Sequence, residues 1–555
     1  MGNLSRRGFV RLGLAGAASP LLGSFLGACG SGNGAGAGIG KGGNTINTGN
    51  TGSQAAQVVI AMNTGSEPAA GFDPLVAWGA GEHVHEPLIQ STLVTTDTGL
   101  GFANDLATSY SCSEDGMSWT FTIRDDVRFT DGMPLTAHDV AFTLNGIRES
   151  EAAQADLSMV AGVLAQDDRT VHITMAKPFN ALLYTLAVIG IVPAHAYGKD
   201  YGSKPLGSGR YLLEQWDKGQ QVILAANPGY YGEKPRMQRV VVVFMEEDAA
   251  LAAVRSGQVD IAFTSAVFSG QIIAGYDLFS CKTVDCRGIS LPVVPPGNSK
   301  ADGPNSYPAG NEVTCDRAIR QALNYALDRE TMIRNVLSGH GTPAYSVADT
   351  LPWASPAMKV ETDTAYAQSL LERAGWDLGS DGIRSKGGKR AAFSLVYPAG
   401  DSVRQALAAE FANQMKGIGI EVTPKGLGWD DIYPREFCDP ILWGWGSHSP
   451  AELYELIYSS GWGNFACHES AATDRYLDEA LAAADIKDSW DLWQKAQWDG
   501  EQGIAPQGAA SWVWLANIDH LYFKRTALDV ADQKPHPHGH GWSLVNNVDR
   551  WAWHD

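Results

Sequence analysis

Leu106-Ala107-Thr108-Ser109-Tyr110, Ser113-Glu114-Asp115-Gly116-Met117-Ser118-Trp119-Thr120-Phe121-Thr122-Ile123-Arg124 and Val127-Arg128-Phe129-Thr130-Asp131-Gly132-Met133-Pro134-Leu135-Thr136-Ala137-His138-Asp139-Val140 follow one another almost without a break in this 555-residue chain. Trp119, Phe121 and Ile123 recur with period two, the pattern of a strand with one buried face. Asp131-Gly132 is a turn whose glycine supplies φ > 0. Thr136 then stands as the N-cap of a helix expected to run through Gly146.

Outward from this stretch the same alternation continues. Val58 to Met62, Val171 to Met175, Val240 to Phe244 and Val259 to Phe263 read as strands, and Asp248 to Ser256 as an Ala-rich helix closed by Gly257. Helices are expected at Asp316 to Leu327, Glu330 to Leu337, Tyr366 to Ala374 and Val403 to Lys416. The Gly- and Pro-rich stretch from Leu291 to Gly310 marks a lobe boundary or a surface excursion. The fold class is mixed α/β, without a tandem repeat.

The N-terminus reads as an export leader. Arg6-Arg7 precede the apolar run Leu12 to Leu26, a twin-arginine signal whose core is too short to span a bilayer. Leu26-Gly27-Ala28-Cys29 has the form of a lipobox, so Cys29 is the expected lipidation site and 1–28 the signal peptide. Residues 29–54 are Gly, Ser, Asn, Thr and Ala, a flexible tether. The remaining body, about 500 residues, is too long for one core.

The net charge of −20 becomes −23 once Arg6, Arg7 and Arg11 are removed, which opposes nucleic acid and anionic lipid as partners. Besides Cys29 there are Cys112, Cys281, Cys286, Cys315, Cys438 and Cys467, an even set that in an exported chain favours disulfides; Cys281 with Cys286 and Cys438 with Cys467 are the local pairings among many. No C-x-x-C pair offers a thiolate zinc site. No H-E-x-x-H or G-x-S-x-G occurs, and two His clusters without a His-Cys-His element fall short of a metal-dependent oxidoreductase, so no enzyme is expected.

The opening stretch resembles, position for position, the signature of the family 5 solute-binding proteins of bacterial ABC importers. Gly207 to Tyr211 with Asn227 to Pro235, Ser256 to Asp260, Ala318 to Arg329 and Leu370 to Trp376 are similar to further motifs of that family, in order. The resemblance implies a two-lobed, periplasmic-binding-protein-like fold, type II in its large family 5 form, with a ligand cleft between lobes that closes by hinge motion. It places lobe I at 55–285 and 508–555 and lobe II at 286–507, with crossings near 265–290 and 505–518. It also implies a monomer that serves an importer permease and carries no prosthetic group; the lipid expected on Cys29 would hold it at the outer face of the cytoplasmic membrane or in the periplasm.

For the solute, peptide-binding members anchor the peptide ammonium on an aspartate in a W-x-x-D arrangement. Here Trp443-Gly444-Trp445-Gly446-Ser447-His448 offers no carboxylate, and a buried ammonium without a partner is costly. The Trp-Gly-small pattern looks more like the nickel-binding member, so a nickel ion or nickel chelate is the first expectation and an oligopeptide the second. The candidate ligand residues are Trp78, His83, His85, Trp443, Trp445, His448 and His468. His536, His538 and His540 form a candidate metal set, since imidazole suits nickel. The alternative for that run is a turn-rich tail whose histidines cap backbone. The arginine that holds a chelate in the nickel-binding member has no counterpart in Leu186 to Pro193.

Overall fold

Two β-branched or aromatic strand sets organise the chain, each completed by residues from distant parts of the sequence. The computed structural model describes residues 56–76, 85–302, 305–539 and 541–554. A seven-stranded sheet has the order Tyr276–Cys281, His520–Arg525, Ile261–Thr264, Gln57–Met62, Arg239–Phe244, Gln221–Ala226, Tyr211–Asp217. A six-stranded sheet has the order Gly341–Pro343, Trp512–Ile518, Cys286–Ser290, Ile441–Trp445, Ala392–Pro398, Glu421–Leu427. These are the two lobes. A four-stranded antiparallel sheet, Ala107–Cys112 to Met175, extends the first lobe, and its strand Ser118–Ile123 buries Trp119, Phe121 and Ile123 as the alternation predicts.

The helices start where their caps dictate. Asp316, Asp328, Asp363 and Asp401 each accept a first-turn backbone N–H at the heads of helices Arg317–Ala326, Arg329–Leu337, Thr364–Arg373 and Ser402–Lys416. Thr136 and Asp139 form a reciprocal capping box before Ala137–Glu149. Helix residues Leu323, Leu371, Leu407 and Phe411 pack with Ile289, Leu442, Val513 and Leu515 from one face of the six-stranded sheet. The other face contributes Cys286, Trp443, Trp445, Trp512 and Trp514 to a core shared with the four-stranded sheet of the first lobe. The stretch 291–310 is a surface excursion, carrying the hairpin Asn298–Asp302 with Asn305–Ala309.

The chain leaves the seven-stranded sheet after Cys281 and enters the six-stranded one at Cys286; it returns at Asp519, between Trp512–Ile518 and His520–Arg525. A boundary at 507 assigns Trp512–Ile518 to the first lobe, yet this strand is hydrogen-bonded to Cys286–Ser290 in the second. The stretch from Trp512 to Phe523 is mostly apolar in sequence, and the two strands part at Asp519, between Asn517 and His520 and their apolar neighbours. The expected disulfides are not seen among the described residues. All six described cysteines are free thiols, and Cys281 and Cys286 lie in different sheets on either side of the crossing.

Candidate functional site

In an antiparallel sheet, residues directly opposite one another share a face. On the six-stranded sheet this gives three rows centred on Cys286–Ser290. Cys286 faces Trp445 and Asn517, Gly288 faces Trp443 and Trp514, and Ser290 faces Ile441 and Trp512. The middle strand is small on this face, which lets indoles from both neighbours lie over it. A Cβ on Gly288 would lie 2.3 Å from the Trp514 ring. A register shift at Arg287/Gly288 leaves Leu515 and Ala516 facing the helices and brings Asn517 back into line with the indoles, which is what a bulge accomplishes.

The indoles are stacked. Trp512 and Trp514 are parallel within 10° at 4.8 Å, and Trp443 lies over Phe465 at 4.3 Å and 15°. Trp462, 43 % exposed, extends the aromatic row from Trp445 to the surface. Trp443 Nε1 donates to Ser290 Oγ at 3.0 Å. Trp445 Nε1, Trp514 Nε1 and Asn517 Nδ2 are buried and, among the described residues, have no acceptor. Their residues are 9 %, 2 % and 4 % exposed. A buried donor left unmade costs about 1–3 kcal/mol.

The turn after Trp445 is held by a buried carboxylate. Glu452 accepts from the backbone N–H of Gly446 at 3.2 Å and of Ser447 at 3.0 Å. Burial pushes this carboxyl up to about 7 against the lowering effect of those two bonds. His448 donates from Nε2 to the Pro535 carbonyl at 2.6 Å, and burial lowers its pKa.

His85, His448, His536 and His538 converge on the C-terminal segment 535–539. The backbone N–H of His538 donates to the Gly446 carbonyl at 2.7 Å, and a Cβ on Gly539 would come within 2.6 Å of the His85 ring. His536 Nδ1 lies 3.1 Å from His520 Nδ1, and His538 Nδ1 lies 2.5 Å from Asp285 Oδ1. Burial acts to raise Asp285, and Arg287, His538 and His520 overcome it and hold the carboxyl well below its usual range. His536 and His538 are thus engaged with the crossing segments rather than with each other. His468 stands apart, its backbone N–H on Asn464 Oδ1 and its Nδ1 buried without a partner. Trp78, His83, His540 and Cys29 lie outside the described residues.

Of the residues on this face, Trp443 and Trp445 are among those expected from the sequence, and Trp512, Trp514, Asn517 and Gly288 are not. The signal was present in Trp512-Val513-Trp514, an aromatic alternation on a strand.

Comparison with known proteins agrees with this architecture. The chain is 33 % identical to Protein XP55 of Streptomyces lividans over 497 residues, covering 85 % of each. It is 28 % identical to the oligopeptide-binding protein AppA of Bacillus subtilis over 431 residues, 72 % of this chain and 77 % of that one. Among solved structures, NikZ from Campylobacter jejuni in complex with Ni(L-His) superposes with a TM-score of 0.72 at 23 % identity, covering 90 % of this chain and 99 % of NikZ. Residues 101–465 match the description of bacterial extracellular solute-binding proteins, family 5. With two lobes joined by two crossings and an indole-walled face turned to the lobe interface, the chain belongs to the bacterial extracellular solute-binding proteins of family 5.

Proposed function

We propose that this chain is the lipid-anchored capture protein of an ABC importer and that it holds a small organic solute between its lobes, against the indole trough of the six-stranded sheet. Proteins of this family bind solutes outside the cytoplasm and work with importer permeases; they carry no prosthetic group, and nickel, where bound, is cargo. The observation that carries the reading is the set of buried, unpaired donors on Trp445, Trp514 and Asn517.

The relatives' names include both nickel and oligopeptides. The described residues include no group of three or more His, Cys, Asp or Glu side chains that could hold a metal ion, so nickel enters this reading as a chelate whose chelator supplies the ligands. An oligopeptide stands beside it. The lipid anchor rests on Leu26-Gly27-Ala28-Cys29, and export on Arg6-Arg7.

Native mass spectrometry of the protein purified from its own host tests the capture function, because a retained solute adds its mass. A ligand at a hundredfold excess over Kd raises stability by about 2.7 kcal/mol, so thermal shifts with Ni²⁺ plus histidine and with peptide mixtures weigh the two named classes. No retained mass and no shift with any solute overturns the reading. Cys29→Ser should release the protein from membranes; a variant that still fractionates with them after a high-salt wash refutes the anchor.

A further inference from the structure

The segment 533–539 is tied to the first lobe at both of its ends. Before it, Gln533 Nε2 donates to Asn547 Oδ1 at 2.8 Å, and Asn547 Nδ2 donates to the Asp532 carbonyl at 2.9 Å. Lys534 is bonded to Glu86 and donates to Thr96 O at 3.0 Å and Thr96 Oγ1 at 2.8 Å, its side chain only 8 % exposed. Beyond it, Trp542 Nε1 donates to the Ser66 carbonyl at 2.6 Å. Between these feet the chain lies along the first crossing. The N–H of His536 donates to the Lys282 carbonyl and the N–H of Val284 to the His536 carbonyl, both at 2.9 Å, in a parallel bridge of His536 with Thr283. The tip touches the second lobe: His448 Nε2 donates to the Pro535 carbonyl at 2.6 Å, and the N–H of His538 donates to the Gly446 carbonyl at 2.7 Å. The turn held in this way follows Trp445 directly, and Glu452 accepts from its N–H groups.

We propose that this loop is a clasp, a third and non-covalent connection between the lobes that is engaged while they are in contact and released when the cleft opens. The two covalent crossings absorb a hinge rotation in their backbone dihedrals, whereas the hydrogen bonds of Pro535 and His538 to the 446–448 turn cannot stretch by ångströms and persist. The loop cannot travel with the second lobe either, because Lys534 and Trp542 fix it in the first. Opening therefore breaks the tip, whose two bonds are weaker than the buried, charge-assisted contacts of Lys534. The clasp adds weight to the closed form, and it does so through the turn that continues from Trp443 and Trp445. A solute that orders this turn favours the clasp, and an engaged clasp holds the turn ready for the solute, so the two are linked. The solute half of that linkage rests on the reading of the Trp443 and Trp445 face as the ligand site; the clasp rests on the bonds alone.

The experiment is amide hydrogen exchange of the full-length mature protein, read residue by residue, first without solute and without any variant. The N–H of His538 on Gly446 and the N–H of Asn180 on Leu481 both cross between the lobes. A clasp that lets go only when the lobes part makes both exchange in one event, with protection equal within about threefold. Protection of His538 at least tenfold below that of Asn180 shows a tip that releases with the lobes still closed, and it overturns the proposal. Two paired variants then cut the loop at either end. His448→Ala with His538→Ala cuts the tip, and Glu86→Gln with Lys534→Met cuts the foot. The connection is serial, so each pair should speed exchange at Asn180 about tenfold, and all four changes together should do no more than the larger of the two. Multiplying effects, or unchanged exchange at Asn180 in both pairs, overturn the clasp; a pair that fails to fold leaves the wild-type comparison to decide. These measurements use no solute, so their failure leaves the capture reading standing, and failure of that reading leaves them untouched. Ni²⁺ with histidine or tri- to pentapeptides, whichever raises the melting temperature, should slow both amides equally; slowing of Asn180 alone overturns the linkage of clasp to solute.

Discussion

His538 Nδ1 sits 2.5 Å from Oδ1 of Asp285, so the C-terminal segment of the first lobe is hydrogen-bonded to the strand by which the chain enters the second. Asp285 also pairs with Arg287 and with His520 Nε2, the latter at 3.1 Å, and its side chain is 5 % exposed. Asp285→Asn removes the only negative charge in this group and leaves Arg287 buried without it, which should cost about 3–5 kcal/mol. Asp285→Asn combined with Arg287→Met removes both charges and should recover most of the loss. Urea denaturation of the two variants checks this; equal destabilisation by both would refute the account.

The same junction predicts a pH dependence. Burial pulls His538 down to about 4 even though Asp285 opposes it, and pulls His536 well below the ordinary value. A histidine with a depressed folded pKa contributes stability that is present above 6.5 and lost as pH falls towards its folded value, because only the unfolded chain takes the proton. For His538 the window is 6.5 to about 4, about 3 kcal/mol at 1.36 kcal/mol per unit. Glu452, raised to about 7 by burial, acts in the opposite sense: its stability is present below 4.5 and lost as pH rises to about 7. The wild-type curve therefore mixes the two, and the difference between wild type and His538→Gln isolates one. That difference should shrink by about 3 kcal/mol from pH 7.5 to pH 4; a constant difference would sink the assignment.

Asn180, in the first lobe, caps a helix of the second. Its Nδ2 donates to the carbonyls of Ala480 at 2.8 Å and Ala483 at 3.2 Å, and its backbone N–H donates to Leu481 at 3.0 Å. These carbonyls lie at the end of the helix Ala471–Ala482, where the C-cap N–H of Ala483 also reaches Ala480 at 3.4 Å. Asn180→Ala should therefore favour separation of the lobes by about 1–2 kcal/mol. A larger radius of gyration in solution scattering and weaker solute binding are expected, and an unchanged radius with unchanged affinity would show that this contact does not hold the lobes.

Much of this fold was legible because period and caps agree locally. Ser118–Ile123 buries alternate residues as read, and the cap aspartates of the second lobe start its helices within two residues of the expected places. The return crossing was not legible, since Asn517, Asp519 and His520 interrupt a mostly apolar stretch without a turn signal and the strand partners at Cys286–Ser290 and Tyr276–Cys281 lie more than two hundred residues away. The trough escaped for a related reason. Cys286, Gly288 and Ser290 look featureless in sequence, and their smallness acquires meaning only when Trp443 and Trp514 pair on either side. The histidines were conspicuous, but their i, i+2 spacing could not tell that His536 and His538 would turn to different crossing segments.

The thiols offer a direct check on the fold's redox state. With six described cysteines free, titration of the unfolded mature chain without reductant should count six thiols, and reductant should leave the melting temperature unchanged. Two fewer thiols would mean that a pair has oxidised, and peptide mapping would identify it.

Gly288→Ala probes the trough through its floor. The strand Cys286–Ser290 is the centre of three rows, and the ring atoms of Trp514 occupy the space a Cβ at 288 would need, at 2.3 to 3.0 Å. Neither strand can shift easily, because Gly288 is opposite Trp443 on the other side and the backbone is paired on both edges. The indole must therefore tilt, which breaks its 10° stack on Trp512. Overpacking of this kind costs about 1–3 kcal/mol, well within what a two-lobed protein of this size tolerates. The variant should fold, show altered tryptophan emission and lose solute binding by at least tenfold, whereas Gly132→Ala, at a turn with positive φ and open space around its Cβ, should lose stability without losing affinity. Full affinity in Gly288→Ala, with Trp514 emission unchanged, would place the solute elsewhere in the cleft.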